Sequence, residues 1–347
     1  MEYDKRIKVC YILPQFSSNT ATHFYAKREM LDMLSSRVDF LSVDMQRLAA
    51  SVFAILRARS RGCKHFYVHY SLKGALVAHV VTALSGGRVY YWNCGMPWLY
   101  QRSWLEERLL RWVLRHSLFV TGTRGLARMY AHEYGTSEND TRILPNWVRT
   151  DRFAGIDKIT ARSELRVAPR TRMVLFAHHL SRRKGAQYLP DIFRLYKSDP
   201  SVLFVIAGSG PEEGDLIKTV QALDMESSVR FVGDVPNRAI PQYFAAADVV
   251  IVPSEEQGFS NTLLEAMAAG VPFVSFDVGG TREMTSPAAQ EYIAKAGDTA
   301  GFCARLQRLL ADSEMRARVV EANRQWVEQY DIRRVAPQFA NLFSISL

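Results

Sequence analysis

The sequence predicts an α/β protein made of two successive domains, each carrying a parallel sheet. Two observations predict it. Short β-branched or aromatic runs alternate with helical patterns, and the whole alternation restarts once along the chain. The length of 347 residues is also too great for one ordinary core and suits two domains of about 150–200 residues.

The first set of strands is expected at residues 8–13, 38–43, 65–69, 89–92 and 118–121, with helical stretches between them. The second set is expected at 173–177, 202–207, 229–232, 249–252 and 273–276. The stretch ILPNWVRTDRF, residues 143–153, marks the junction, because Pro145-Asn146 breaks any helix there. The domains are therefore drawn as 1–150 and 151–330. The last segment, 331–347, reads as helical with a break at Pro337 and is a candidate to pack back on the first domain. In open parallel sheets ligands bind at the carboxyl ends of the strands, so a cleft between the two domains is the expected site.

Composition narrows the class. Apolar residues make up 48% and charged residues 23%, as in a soluble globular protein. The apolar run in MEYDKRIKVCYILP is too short for the core of a signal peptide. No stretch reaches the roughly 18–20 apolar residues that span a bilayer, so a cytoplasmic protein is expected. Cys10, Cys63, Cys94 and Cys303 are scattered without a CxxC pair, so neither a zinc site nor a disulfide framework is expected. The net charge of +9 is uneven: residues 1–155 hold 22 Lys/Arg against 12 Asp/Glu, while the remainder holds 22 against 23. An anionic partner for the first half follows: a membrane surface, a phosphorylated substrate or nucleic acid.

The most informative stretch is EEQGFSNTLLEAMAAGVP, residues 255–272. Ser260 or Asn261 is a good N-cap, and Gly270 followed by Pro272 is a good stop, so a helix is expected over 262–269. Its first amides lack helical partners and its dipole is positive there, which suits a phosphate. Gly258 lets the backbone approach a ligand. Glu265 lies in the opening turns, where a carboxylate can accept both hydroxyls of a ribose. A capped helix with no ligand is the plainer reading of this stretch alone. Upstream, FAHHLSRRKGAQYL sets Arg182, Arg183 and Lys184 before Gly185, cations that can neutralise a diphosphate as it leaves. A solvated basic turn is the plainer reading there. VLFVIAGSGPEE puts Gly208-Ser209-Gly210-Pro211 at a strand end, weak by itself because most such turns are only turns.

Taken in order, these stretches resemble the retaining family 4 glycosyltransferases of GT-B fold, in which two Rossmann-like domains face each other across a cleft. The match reads His178-His179-Leu180…Lys184-Gly185, Gly208-Ser209-Gly210-Pro211, Tyr243…Ala247-Asp248, Pro253-Ser254…Gln257-Gly258-Phe259…Glu265-Ala266, Gly270-Val271-Pro272 and Gly279-Gly280…Glu283. It covers most of residues 143–335 and is looser over 1–142. The resemblance implies a sugar nucleotide, UDP- or GDP-linked, held by the second domain as co-substrate, with no metal and no cofactor. It implies Glu265 on the ribose, the backbone of Gly258, Phe259, Ser260, Asn261, Thr262 and Leu263 near the phosphates, and Lys184 with Arg183 and Gly208 at the diphosphate.

Two positions depart from the family pattern. Glutamate usually stands at Gln257, where it touches the donor sugar, and arginine usually stands at His179, beside the diphosphate. Gln257 keeps an acceptor and gains a donor but loses charge, weakening each bond by about 1 kcal/mol. His179 carries at most partial charge near neutral pH. No pair of carboxylates is indicated of the kind retaining hydrolases place across the bond. The mechanism inferred is acceptor attack on the same face, with Lys184, Gln257 and Glu265 as the catalytic set and the departing phosphate oxygen taking the proton.

The first half supplies candidates for the acceptor side: Ser18 in the loop after the first strand, His23 beyond it, His69 at the end of the third, and Asn93 where relatives often carry a histidine. A satisfied buried histidine is the plainer reading of His69. RSWLEERLLRWVLRHSLF spaces Arg108, Arg111 and Arg115 among Trp and Leu, and MQRLAASVFAILRARSRGCK repeats the pattern. Such faces suit an anionic membrane surface and fit a glycolipid or lipid-linked acceptor, with the enzyme peripheral at the inner face of the membrane. A helix whose arginines merely meet water is the plainer reading. The leading expectation is a hexosyl-type transferase acting on a polysaccharide or glycolipid precursor. A catalytically degenerate sugar-nucleotide-binding partner, or a sugar-nucleotide epimerase on the same fold, is the alternative. No nucleic-acid motif accompanies the basic charge.

Overall fold

The computed structural model describes residues 6–14 and 22–344, and within 22–27 the backbone alone. The chain divides into two compact units, Met1–Pro145 with Arg333–Leu347, and Asn146–Ile332.

The first unit holds strands β1 (Ile7–Leu13), β2 (Val38–Asp44), β3 (His65–His69), β4 (Arg88–Trp92), β5 (Leu118–Thr121) and β6 (Arg142–Ile143). They pair in the order β2-β1-β3-β4-β5-β6, every ladder parallel. Every residue of β3 is buried, as in a sheet covered on both faces. One face packs against helices Leu48–Ser60, Leu72–Ser85 and Trp104–His116, whose Ile55, Ala78 and Val113 meet Phe66 and Tyr91 of the sheet. The other face is aromatic. Tyr11, Phe40 and Tyr67 meet Phe339 and Phe343 of the last helical segment, with Phe40 stacked 6.0 Å from Phe339 and Tyr67 edge-on at 4.8 Å.

That last helix, Ile332–Asn341, runs through Pro337, so the expected break is corrected. Pro337 cannot donate to the carbonyl one turn back, a cost of about 3 kcal/mol. Burial of Val335, Ala336, Phe339 and Ala340 against the sheet offsets it.

The second unit holds β7 (Arg172–Ala177), β8 (Val202–Ala207), β9 (Val229–Gly233), β10 (Val249–Val252), β11 (Phe273–Asp277) and β12 (Ile293–Lys295), again all parallel. Their order is β12-β11-β10-β7-β8-β9. The chain winds outward from β7 to β8 and β9, then returns to β10 on the other side. The direction therefore reverses between β7 and β10, and the crevice beyond their carboxyl ends is where such a sheet binds ligands. In the first unit the reversal falls between β1 and β3.

Within the second unit, residues near its two ends lie side by side. Val148 N–H donates to the Tyr330 carbonyl and Ile332 N–H to the Val148 carbonyl, both at 3.0 Å. Asp331, buried, accepts from Thr150 N–H at 3.2 Å and from its hydroxyl at 2.6 Å.

Candidate functional site

Three loops converge beyond the carboxyl ends of β7, β8 and β10. The loop after β7 is tied to the loop after β8: Leu180 N–H donates to the Ser209 carbonyl at 2.8 Å, and Glu212 N–H to the Leu180 carbonyl at 3.1 Å. Its basic turn, Arg182–Lys184, closes on Gly185 in the left-handed conformation, φ 82°. A Cβ at Gly185 would lie 1.8 Å from the Pro253 carbonyl oxygen, so only glycine lets this turn press against the loop after β10. The Arg183 carbonyl then accepts from Glu255 N–H at 3.1 Å, and its guanidinium stands 3.9 Å from the buried carboxylate of Glu256. A fourth loop, after β11, joins them. Gly279, φ 55°, approaches so closely that a Cβ would lie 2.0 Å from the Gln257 carbonyl, and Gly280 N–H donates to the Gly258 carbonyl at 3.0 Å.

The loop after β10 runs straight into helix Asn261–Ala269. Ser260, fully buried, is the N-cap: its hydroxyl accepts from Leu263 N–H at 3.2 Å and its carbonyl from Leu264 N–H at 3.3 Å. The Leu263 amide is thus spent on the cap. Asn146 Nδ2 donates to the Phe259 carbonyl at 3.4 Å, and the Thr262 hydroxyl to the carbonyl of Ala177, the last residue of β7, at 3.4 Å. The positive end of the helix dipole is therefore pinned at the end of the central strand. Gly270, left-handed, ends the helix.

Two charged groups here, Lys184 and Glu265, are out of their usual ranges. Burial, and then the neighbouring charge of Arg183, lowers the Lys184 ammonium to about 8, with Glu256 opposing. Burial raises the Glu265 carboxyl to about 8, with Arg152 opposing. The Ser181 and Ser254 hydroxyls and Gln257 Oε1 are buried with no hydrogen-bond partner among the described residues. Gln257 is 6% exposed. Buried polar groups are ordinarily paired, and three on converging loops argue for a polar ligand that completes them. Cations, a helix N-terminus and an unsatisfied amide suit an anion attached to a hydroxyl-rich group.

Several residues anticipated from sequence therefore meet on one sheet edge: Lys184 and Arg183 on the first loop with exposed His179, Gly208 on the second, and Gln257 to Thr262 on the third. Glu265 follows on the helix. In the first unit, His69 is buried with its ring stacked 4.0 Å from Trp92. Asn93 Oδ1 accepts from Gly95 N–H at 2.8 Å and braces the turn after β4. Ser18 lies outside the described residues, and so does the side chain of His23 on helix Thr22–Leu34. Sequence reasoning missed Arg152, whose charge reaches Glu265 and whose Nη2 donates to the Asn237 carbonyl at 2.9 Å. It also missed Glu256, the buried partner of Arg183, which reads as one more polar residue in EEQG. Among the described residues no cluster of three His, Cys, Asp or Glu could hold a metal.

The family model described as glycosyl transferases group 1 matches residues 157–326. The chain is 24% identical to an N-acetyl-alpha-D-glucosaminyl L-malate synthase of Bacillus anthracis, over 80% of this chain and 73% of that protein. Matches to two further curated glycosyltransferases span 60% and 46% of their lengths. Among solved structures, a sucrose-phosphate synthase of Thermosynechococcus elongatus superposes with a TM-score of 0.84 at 17% identity, covering 98% of each chain. The HepE protein of Anabaena, in complex with UDP and glucose, superposes with a TM-score of 0.82 at 18% identity, covering 98% of this chain and 100% of that one. Residues 157–326 thus match the glycosyl transferases of group 1, and the chain has the GT-B fold.

Proposed function

We propose that this glycosyltransferase moves a hexosyl group from a UDP- or GDP-linked donor, with retention and without a metal ion, to a polysaccharide or glycolipid acceptor at a membrane surface. The observation that carries the donor half is the convergence at the β7/β10 reversal: Lys184 and Arg183 on one loop, Gln257 with its buried Oε1 unpaired and a capped helix N-terminus on the next. Lys184, Arg183 and the helix N-terminus hold the diphosphate, Glu265 the ribose hydroxyls, and Gln257 a hydroxyl of the sugar. The bound UDP of the Anabaena neighbour supports a nucleotide diphosphate.

In the reaction the acceptor oxygen bonds to the anomeric carbon as the bond from that carbon to the phosphate oxygen breaks. Attack comes on the face the diphosphate leaves, and the leaving phosphate oxygen takes the acceptor's proton. Charge grows on the diphosphate as it departs, so a cation held there lowers the barrier. Lys184→Ala should therefore cut donor turnover by about 100- to 1,000-fold while nucleotide still raises the melting temperature. Near-normal turnover in that variant would overturn the assignment. Gln257 in place of a carboxylate favours a second reading, a sugar-nucleotide-binding partner without turnover. Donor hydrolysis by the purified protein, measured with a thermal-shift screen of nucleotide sugars, separates the two.

The acceptor half rests on the first unit's surface. Leu48, Phe53 and Leu56 on one helix and Trp104, Leu105 and Trp112 on another are exposed. Residues 45–105 carry eight Lys/Arg and no Asp/Glu. Apolar side chains among an excess of cations suit an anionic bilayer surface. Among the described residues no helix is long and apolar enough to cross a membrane.

A further inference from the structure

We propose that a second site, at the amino-terminal edge of the first unit's sheet, binds the headgroup phosphate of an anionic lipid. It rests on the membrane half of the reading above and adds a defined lipid ligand to it. A cavity of about 770 Å³ opens where β4, β5 and β6 begin and where helices Leu72–Ser85, Trp104–His116 and Arg124–Tyr134 end. This is the edge opposite to the one bearing His69 and Asn93.

The chemistry of its wall is uneven. Arg88, Arg115 and Arg142 line it; Arg88 is hydrogen-bonded to Tyr90, whereas among the described residues neither Arg115 nor Arg142 forms an ion pair or a side-chain hydrogen bond. Arg111, one turn before Arg115, is by contrast bound to Glu107 at 2.9 Å. The Arg115 guanidinium reaches the far wall: one of its nitrogens lies 4.0 Å from where a Cβ on Gly135 would stand. Thr136, next to it, is 8% exposed, and its hydroxyl is buried without a partner. Asp140 is the one carboxylate in the lining. Helix carboxyl ends also turn their carbonyls this way, each worth about half a negative charge. That explains why cations gather here, yet it leaves the two guanidinium forks without a fixed acceptor. An exposed phosphomonoester offers three oxygens, enough for both forks and the hydroxyl.

The rim identifies the source of the phosphate. Trp112 lines the cavity and is 41% exposed, on the helix that also exposes Trp104 and Leu105. Its ring stacks on His116 at 4.5 Å and meets His79 edge-on at 4.8 Å. His79 is bonded to Ser117 Oγ at 2.8 Å, and Val80 and Leu84 stand exposed on its helix. A cationic pocket bordered by indole and aliphatic side chains matches the boundary between headgroups and acyl chains, where a soluble phosphate would gain nothing from the rim.

The test compares vesicles of phosphatidylcholine carrying equal fractions of phosphatidic acid or phosphatidylglycerol, using the full chain. The wild type should bind phosphatidic acid vesicles more tightly. The double substitution Arg115→Gln/Arg142→Gln should lose about tenfold more on phosphatidic acid than on phosphatidylglycerol. A charge-matched control, Lys73→Gln/Arg108→Gln, should weaken both lipids equally. Equal losses on both lipids in the pocket variant would mean only diffuse attraction and overturn the site. Inorganic phosphate that stabilises the wild type but not the pocket variant, without lipid preference, would make the ligand a soluble phosphate and overturn the lipid assignment. No binding of the wild type to either vesicle would overturn the membrane reading and this site together, while leaving the donor site standing on its own thermal-shift result. Arg115 and Arg142 are exposed, so unchanged melting temperatures check that the variants fold.

Discussion

Lys184 and Glu265 carry opposite charges, yet burial moves both toward neutrality, to about 8. The consequence for stability differs in sign. From its usual 4.5 up to about 8, folded Glu265 keeps a proton that the unfolded chain has released, so stability falls as pH rises through that window. Lys184 works the other way: from about 8 up to its usual 10.5 the unfolded chain keeps the proton, so stability rises with pH there. Glu265→Gln should therefore raise the melting temperature at pH about 8, flatten its decline between pH about 5 and 8, and weaken nucleotide binding. Parallel melting curves for variant and wild type across that range would remove the claim that Glu265 is held at a cost. At this scale the sequence made Lys184, Gln257 and Glu265 conspicuous, because glycines and a cap frame them. Arg152 and Glu256 were illegible. Each acts through a partner distant along the chain or across a loop, and no local pattern encodes such a meeting.

Helices and strands were legible wherever burial imposed a run. Ten expected strands lie within one or two residues of the observed ones, and the helix expected over 262–269 begins one residue earlier, at Asn261. The two missed strands, Arg142–Ile143 and Ile293–Lys295, are short edge strands with too few residues for a period to show. Helix Trp104–His116 is fixed by a capping box, Ser103 with Glu106, and by Leu110, Val113 and Leu114 in the core. Its outer face is free of that duty: Trp104 is 71% exposed, with the Arg108 guanidinium 4.8 Å from its ring. Replacing Trp104 and Leu105 by serine should shift stability by less than about 1 kcal/mol and markedly reduce flotation with anionic vesicles. Undiminished flotation would show that this face does not carry the membrane contact.

At the scale of the whole chain, the last segment belongs to the first unit, although the second unit lies between them in sequence. The aromatic face of the first sheet explains it. Tyr11, Phe40 and Tyr67 would stand uncovered without Phe339 and Phe343, and the burial of those two rings outweighs the hydrogen bond lost at Pro337. The second unit has its own core, with Val174, Ile206, Ile251 and Val274 of its sheet almost wholly buried. Phe339, at 1% exposure, touches three strands. Phe339→Ala should therefore cost the first unit about 3–5 kcal/mol and leave the second unit's fold intact. Calorimetry of the variant should resolve an early transition that nucleotide sugar leaves in place and a later one that it raises. If the variant melted like the wild type, the last helix would be dispensable to the first core. If the ligand moved the early transition instead, the nucleotide would be held by the first unit, and the donor site assigned to Lys184, Gln257 and Glu265 would have to be abandoned.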